Sequence, residues 1–83
     1  MIGFAFNKDG SKYEGEFFKN RREGYGELYD KEGGVFKGFW LDNQKSGKGY
    51  YIDPGSNLYE EKWDNGKLIS RVKIFVATSR KTK

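Results

Sequence analysis

The chain repeats a short strand pattern every 23 residues, and this period limits the folds it can adopt. Tyr-Glu-Gly-Glu-Phe at residues 13–17 recurs as Phe-Lys-Gly-Phe-Trp at 36–40 and as Tyr-Glu-Glu-Lys-Trp at 59–63. A pair of glycines follows the first segment, at positions 24 and 26, and another follows the second, at 47 and 49. A fixed period of this length is typical of repeat architectures, in which each repeat is one supersecondary unit.

The phase of the repeat sets the unit boundaries. The chain opens in the second half of a unit and closes in the first half of another. The predicted boundaries are a half unit at 1–12, full units at 13–35 and 36–58, and a partial unit at 59–66.

The segment after the last unit differs in character. Residues 68–76 form the only aliphatic-rich stretch, and their β-branched residues favour a strand over a helix. Terminal units of repeat arrays differ from interior ones. We predict that residues 67–77 form a capping strand, with docking on a partner as the alternative, and that residues 78–83 form a basic tail.

Within each unit, side chains alternate between two faces. Tyr13 and Phe17 share one parity while Glu14 and Glu16 share the other, which is the period of a half-buried strand. Polar turns are predicted at 19–23 and 42–46, each followed by a second short strand, at 24 to about 29 and 47 to about 52. Residues 30–34 and 53–57 have the composition of turns that join the units. The sequence therefore predicts an all-β fold of consecutive antiparallel hairpins, with no long helix before residue 66.

Glycine inside these strands needs a physical reason, because it costs stability unless something requires the space. Gly15 and Gly38 each lie between two aromatic residues of the same face. We expect aromatic rings of one strand to lie over the bare backbone of its neighbour. A phosphate-binding loop is the alternative, but it requires a helix after the glycine pair, and no helical period follows either pair.

Composition argues against catalysis. The chain has no His and no Cys, which excludes disulfides, thiolate chemistry, His-based acid–base catalysis and nearly every zinc site. The twelve acidic residues lie in turns and on exposed strand positions. A thin sheet offers them no deep cleft of the kind that paired catalytic carboxylates occupy. We predict that the chain is not an enzyme and holds no metal and no cofactor.

The net charge of +4 is unevenly distributed. Residues 1–66 carry a net charge of −2 and residues 67–83 a net charge of +6. Fourteen of the fifteen aromatic residues lie in the near-neutral part, so stacking rings and basic residues are segregated, which argues against nucleic-acid binding. Clustered basic residues do attract anionic lipids. The candidates for such a contact are Arg71, Lys73, Arg80, Lys81 and Lys83.

An aromatic–Gly–aromatic strand, a polar turn and Gly-x-Gly, phased at 23 residues, resemble the MORN repeat (membrane occupation and recognition nexus) over roughly residues 3–66. The unit that begins at Tyr13 is a close match, and the next unit keeps Phe36, Gly38 and Trp40. The last has Glu61 at the glycine position and lacks Gly-x-Gly. The resemblance implies a single-layer antiparallel sheet of consecutive hairpins, twisted into an open trough.

The resemblance also implies a function. We expect a non-catalytic eukaryotic scaffold in the cytoplasm that binds partner proteins within a larger cytoskeletal or ciliary assembly. Such arrays also occur as modules of larger enzymes, whose catalytic part would then lie elsewhere. The alternative is a membrane- or phosphoinositide-associated adaptor that uses the basic C-terminal segment.

Two sets of residues are the candidate protein-binding sites. Shared parity and repeat phase place six aromatic residues on one face, where they would line the trough. We expect part of this layer to be structural and part to contact a partner, and the resemblance implies that the partner segment is a helix or peptide. These six residues are Tyr13, Phe17, Phe36, Trp40, Tyr59 and Trp63. Phe4 and Phe6 of the first strand would form a second docking site at the end of the sheet.

Overall fold

The computed structural model describes residues 1–75 as one open sheet of seven strands. Every neighbouring pair is antiparallel, and the order of the strands in the sheet is their order in the chain. The prediction of an all-β array of consecutive hairpins is confirmed. The strands are β1 (Ile2–Phe6), β2 (Lys12–Phe18), β3 (Arg21–Tyr29), β4 (Val35–Leu41), β5 (Gln44–Ile52), β6 (Leu58–Asp64) and β7 (Lys67–Phe75).

The turns inside the hairpins are shorter than predicted. In place of the polar segments 19–23 and 42–46, only two residues separate the paired strands. Two consecutive residues with positive φ form a type I′ turn, whose twist matches that of the flanking strands. β3 therefore begins at Arg21 and β5 at Gln44, before the positions that we predicted. The central turn residues, with φ between 49° and 81°, are Lys19 and Asn20, Asp42 and Asn43, and Asn65 and Gly66.

The loops between the units repeat one hydrogen-bonding scheme at the 23-residue spacing. In each loop the N–H of the first residue donates to the carbonyl of the residue four positions later, at 2.9 to 3.0 Å. The fourth residue of each loop has positive φ, which Gly10 and Gly33 adopt without steric cost. The loops are 7–11, 30–34 and 53–57.

A row of glycines crosses the sheet and lets the core form on one face. The strand registers align Gly3, Gly15, Gly26, Gly38 and Gly49 on β1 to β5. A Cβ atom at Gly49 would lie 2.5 Å from the Phe36 ring, and one at Gly38 would lie 2.7 Å from it. The ring of Tyr13 covers Gly15 and Gly26 in the same way. The prediction that rings lie over the bare backbone of the next strand is confirmed.

The two glycines of each Gly-x-Gly pair have different roles. Gly24 and Gly47 have φ of +88° and +79°, and each lies where the ladder to the preceding strand shifts register. A Cβ atom at Gly47 would have no neighbour within 4 Å, so this position requires a backbone conformation rather than space. Gly26 and Gly49 instead provide the space that the rings occupy.

Candidate functional site

The trough face of the sheet has a continuous floor of aromatic rings in edge-to-face contact. The ring of Tyr13 lies 5.2 Å from those of Phe17 and Trp40. Phe36 lies 5.9 Å from Trp40 and 6.2 Å from Trp63. Interplanar angles of 78° to 85° bring ring edges onto ring faces, which is the favoured geometry for aromatic pairs. Rings from β2, β4 and β6 thereby form one layer across the sheet.

All six predicted trough residues lie on this face, but they are not equally accessible. Tyr13, Phe36 and Trp40 are 0%, 1% and 5% exposed and form the core of the protein. Their burial makes them the structural part of the aromatic layer, because the fold already covers them. Phe17, Tyr59 and Trp63 are only partly buried and contribute aromatic surface to the trough.

Tyr59 departs from the geometry that we expected all three units to share. Its hydroxyl donates to Asp53 Oδ2 at 3.1 Å, and its ring lies 6.3 Å from that of Tyr51 in a tilted arrangement. It lacks the bare backbone that Tyr13 and Phe36 cover, because Glu61 stands at its glycine position and Arg71 lies opposite Glu61. The last hairpin is therefore packed differently from the two before it.

Basic side chains lie over the rings of the floor. Arg22 Cζ lies 5.1 Å from the Trp40 ring centroid. Lys45 Nζ lies 4.4 Å from the centroids of both Phe36 and Trp63. Such positions place a cation against the negative face of the ring. The trough thus combines apolar rings with positive charge.

Arg22 and Lys45 occupy equivalent positions, 23 residues apart, and neither is among the site residues predicted from the sequence. The repeat spacing was the signal that could have found them. They were overlooked because segments 19–23 and 42–46 were interpreted as turns, whereas both residues lie in strands. Their Cα partners are Phe17 and Trp40, which places them on the trough face.

The charge of Lys45 has no carboxylate within ion-pair distance among residues 1–75. Burial lowers the pKa of the Lys45 ammonium, and the charge of Glu61 opposes that effect. A groove of about 490 Å³ opens beside Lys45, with Arg22, Trp40 and Trp63 among its lining residues. A carboxylate that entered this groove would meet a cation that has no counter-ion among the described residues.

Glu61 is a buried acid at the end of the glycine row. It is 1% exposed, and its Oε2 accepts hydrogen bonds from Arg71 Nε at 2.9 Å and Nη2 at 2.6 Å. Its Oε1 accepts from Trp63 Nε1 at 2.8 Å. A buried charge of this kind is tolerated when it is paired and hydrogen-bonded, and both oxygens of Glu61 meet that condition.

The sequence pattern of these hairpins decides the family. The MORN repeat family model matches residues 13–35 and 36–57, which together make up more than half of the chain. The chain belongs to the MORN repeat family. A comparison with curated proteins found no match.

The two matched MORN units correspond to β2–β3 and β4–β5, the hairpins in which rings cover glycines. The MORN family is generally non-enzymatic. Among residues 1–75 no group of acidic side chains could hold a metal ion. Across the same residues, no helix has the length and apolar character needed to cross a membrane.

The remaining predicted site residues of this MORN protein lie at the two ends of the sheet. Phe4 and Phe6 are 59% and 80% exposed on the edge strand β1. Arg71 and Lys73 project on the trough side of β7, where Lys73 Nζ lies 5.6 Å from the Tyr59 ring. Residues 76–83 lie outside the described part of the chain. They comprise the last two residues of the predicted capping segment and the predicted tail 78–83. The tail contains the remaining lipid candidates, Arg80, Lys81 and Lys83.

A second aromatic surface lies on the opposite face of the MORN sheet, and it was not predicted from the sequence. Tyr25 and Phe39 face each other across β3 and β4, with ring centroids 5.9 Å apart, and both are exposed. Tyr50 is exposed on the same face. These rings were overlooked because the strand alternation was interpreted as one aromatic face and one charged face.

Proposed function

We propose that this chain is a non-catalytic MORN-repeat scaffold whose trough binds a helix or peptide of a partner protein. The observation that carries the proposal is the layer of rings with Arg22 and Lys45 lying over it. Aromatic residues and arginine are the side chains most often found at the energetic centres of protein interfaces. A cytoskeletal or ciliary assembly in the cytoplasm stays a prediction from the family resemblance.

The chemistry of the trough favours a partner segment with both apolar and acidic side chains. Phe17 and Trp63 offer ring surface, and Lys45 offers a charge that no carboxylate within residues 1–75 pairs with. In the part of the chain that the structure describes, Asp9 is the acid that lines the groove, and hydrogen bonds from Ser11 at 2.6 and 2.9 Å already hold it. Complementary charge across an interface selects the partner and speeds association.

The proposal is tested by affinity capture from a eukaryotic cell lysate with matched variants. We expect Trp63→Ala and Lys45→Met to lose the partner proteins that the unaltered chain retains. Phe39→Ala and Lys48→Met remove the same side-chain types from the opposite face and should retain them. If both pairs of variants reduce capture equally, or if neither pair reduces it, the result would contradict a trough-bound partner.

Membrane association is the second candidate and is supported by the net charge of +6 over residues 67–83. In the described part of this segment, Arg71 is already bound to Glu61, which weakens it as a lipid contact. Sedimentation with vesicles that contain phosphatidylserine or a phosphoinositide distinguishes the two functions. Binding that disappears when residues 77–83 are removed would favour the membrane adaptor.

A further inference from the structure

Within residues 1–75 the two edge strands of the open sheet are β1 and β7, and they differ in how they discourage pairing with another chain. β7 has two register irregularities against β6 and carries Lys67, Arg71 and Lys73. Bulges and charged side chains are the features by which natural edge strands avoid edge-to-edge association. β1, with the sequence IGFAF, has an unbroken register against β2 and contains neither a charge nor a proline.

Backbone hydrogen bonds decide which peptide groups of β1 face outward. The Phe17 N–H donates to the Met1 carbonyl, and the Asn7 N–H donates to the Ser11 carbonyl. Antiparallel partners alternate between hydrogen-bonded and non-hydrogen-bonded pairs, so the odd-numbered residues of β1 bond to β2. The even-numbered residues direct their N–H and C=O groups away from the sheet. These residues are Ile2, Phe4 and Phe6.

The same three residues also expose their side chains. Ile2, Phe4 and Phe6 are 66%, 59% and 80% exposed, and all three lie on the face opposite the trough. The trough side of β1 carries only the small residues Gly3 and Ala5. An approaching strand would therefore meet free backbone groups, an apolar row on one face and no bulky side chain on the other.

We propose that β1 pairs with β1 of a second copy, antiparallel, with Phe4 opposite Phe4 across a two-fold axis. In this register Ile2 lies opposite Phe6 and Gly3 lies opposite Ala5. Every outward N–H and C=O of the three even-numbered residues then finds a partner on the other strand. Sliding the register by two residues leaves outward groups at both ends unpaired, and no register of these five residues brings like charges together.

The geometry has a consequence for the trough. A two-fold axis at the Phe4 pair, normal to the sheet, keeps both trough faces on the same side of an enlarged sheet. Ile2, Phe4 and Phe6 of both copies then cover one another on the opposite face. Such an interface uses the same patch on both subunits, as closed two-fold dimers do. Because β1 is short, we expect a dissociation constant on the order of 10 μM, typical of small interfaces.

Sedimentation equilibrium of the full chain tests the proposal, and we expect a monomer–dimer equilibrium. Phe4→Lys places like charges opposite each other and should raise the dissociation constant by at least about tenfold. Val72→Lys makes the same change on the exposed face of β7 and should leave the constant unchanged. A chain that is monomeric up to about 200 μM, well above the expected constant, would overturn the proposal. So would a dimer that responds to Val72→Lys and not to Phe4→Lys.

Two further measurements test the register itself. Hydrogen exchange on the unaltered chain should protect the Ile2, Phe4 and Phe6 amides in the dimer and leave them unprotected on dilution. Phe4→Cys introduces the only thiol in the chain, and oxidation should link two copies because directly opposite Cα atoms lie within disulfide reach. Val72→Cys is the matched control. Protection that does not change with dilution, or equal cross-linking at both positions, would overturn the pairing.

Discussion

In the hairpins β2–β3 and β4–β5 an aromatic ring covers bare backbone, whereas in β6–β7 an ion pair between a buried carboxylate and a partly exposed guanidinium occupies the same row of the sheet. In β4–β5 the Phe36 ring lies over Gly38 and Gly49, which have no side chains of their own in this row. One step along the row, Glu61 and Arg71 face each other across β6 and β7. The array thus changes from ring-over-glycine packing to side-chain pairing at its C-terminal end.

The difference shows what the repeat needs in order to continue and what it needs in order to end. A ring can lie flat over a neighbouring strand only if that strand has glycine in the row. Glu61 fills the row itself, and its carboxylate requires the Arg71 guanidinium, which is partly open to solvent. The single change from glycine to glutamate is therefore coupled to a second change one strand later.

Truncating the equivalent aromatic residues Phe36 and Tyr59 should give the largest contrast between the two regions. Phe36→Ala removes a fully buried ring and should lower the free energy of unfolding by about 3–5 kcal/mol. Tyr59→Ala removes a partly exposed ring and one hydrogen bond, and should cost about 1–2 kcal/mol. Urea unfolding followed by circular dichroism measures both.

Because a domain of this size has a total stability of only about 4–12 kcal/mol, Phe36→Ala can leave too little folded protein to measure. In that case Phe36→Leu, which keeps most of the apolar volume, takes the place of Phe36→Ala in the comparison. Equal losses at residues 36 and 59 would show that the terminal hairpin is packed like the interior ones.

The ion pair is tested by removing its exposed member. Arg71→Met leaves the Glu61 carboxylate buried with only the Trp63 N–H as donor, and should cost about 2–3 kcal/mol. Lys73→Met, on the same strand and the same face, removes a charge that has no carboxylate partner among residues 1–75 and should change stability by less than about 0.5 kcal/mol. A double-mutant cycle with Glu61→Gln isolates the interaction, and a coupling energy near zero would refute the role of the pair in ending the array.

The two kinds of glycine give a third test, inside the interior hairpins. A Cβ at Gly38 would lie 2.7 Å from the Phe36 ring and 2.9 Å from the Gly49 Cα, and backbone cannot yield cheaply. Gly38→Val should therefore cost about 2–3 kcal/mol, although valine has the higher strand propensity. The added methyl group of Gly47→Ala meets no neighbour, but alanine must hold a positive φ there. We therefore expect this variant to lower the free energy of unfolding by about 1–2 kcal/mol. A thermal melt of Gly38→Val at or above the unaltered midpoint would contradict ring-over-glycine packing.

The repeat phase and the strand parity were sufficient to predict the hairpins, their order, the trough face and the reason for Gly38. They were not sufficient for features that depend on the register between strands. A stretch such as Lys-Asn-Arg-Arg-Glu at 19–23 has turn composition throughout, and only the two-residue turn and the register shift near Gly24 place Arg22 in the trough. Glu61 and Arg71 are ten residues apart in sequence, and their contact depends on the irregular register of β7.

The smallest expected effect concerns the second central residue of the hairpin turns, which is Asn20, Asn43 and Gly66 in the three hairpins. Glycine takes positive φ more readily than asparagine, so Asn20→Gly should raise stability by about 0.3–0.5 kcal/mol. Asn43 has a second role, because its Oδ1 accepts from the Arg22 N–H at 2.9 Å and from Arg22 Nε at 3.3 Å. Asn43→Gly should gain the same turn preference but lose these bonds, and should lower stability by about 0.5–1 kcal/mol.

The terminal hairpin shows that the turn itself does not need this side chain. The Gly66 N–H donates to the Lys45 carbonyl at 3.0 Å, just as the Asn43 N–H donates to the Arg22 carbonyl at 3.1 Å, one repeat earlier. The backbone bond between neighbouring hairpins is therefore common to both regions, and the side-chain bonds to Arg22 belong to the interior alone. Urea midpoints that move in opposite directions for Asn20→Gly and Asn43→Gly would support this assignment. Midpoints that rise together would mean that Asn43 serves only the turn, and that Arg22 is held over Trp40 by its ring contacts without help from the turn.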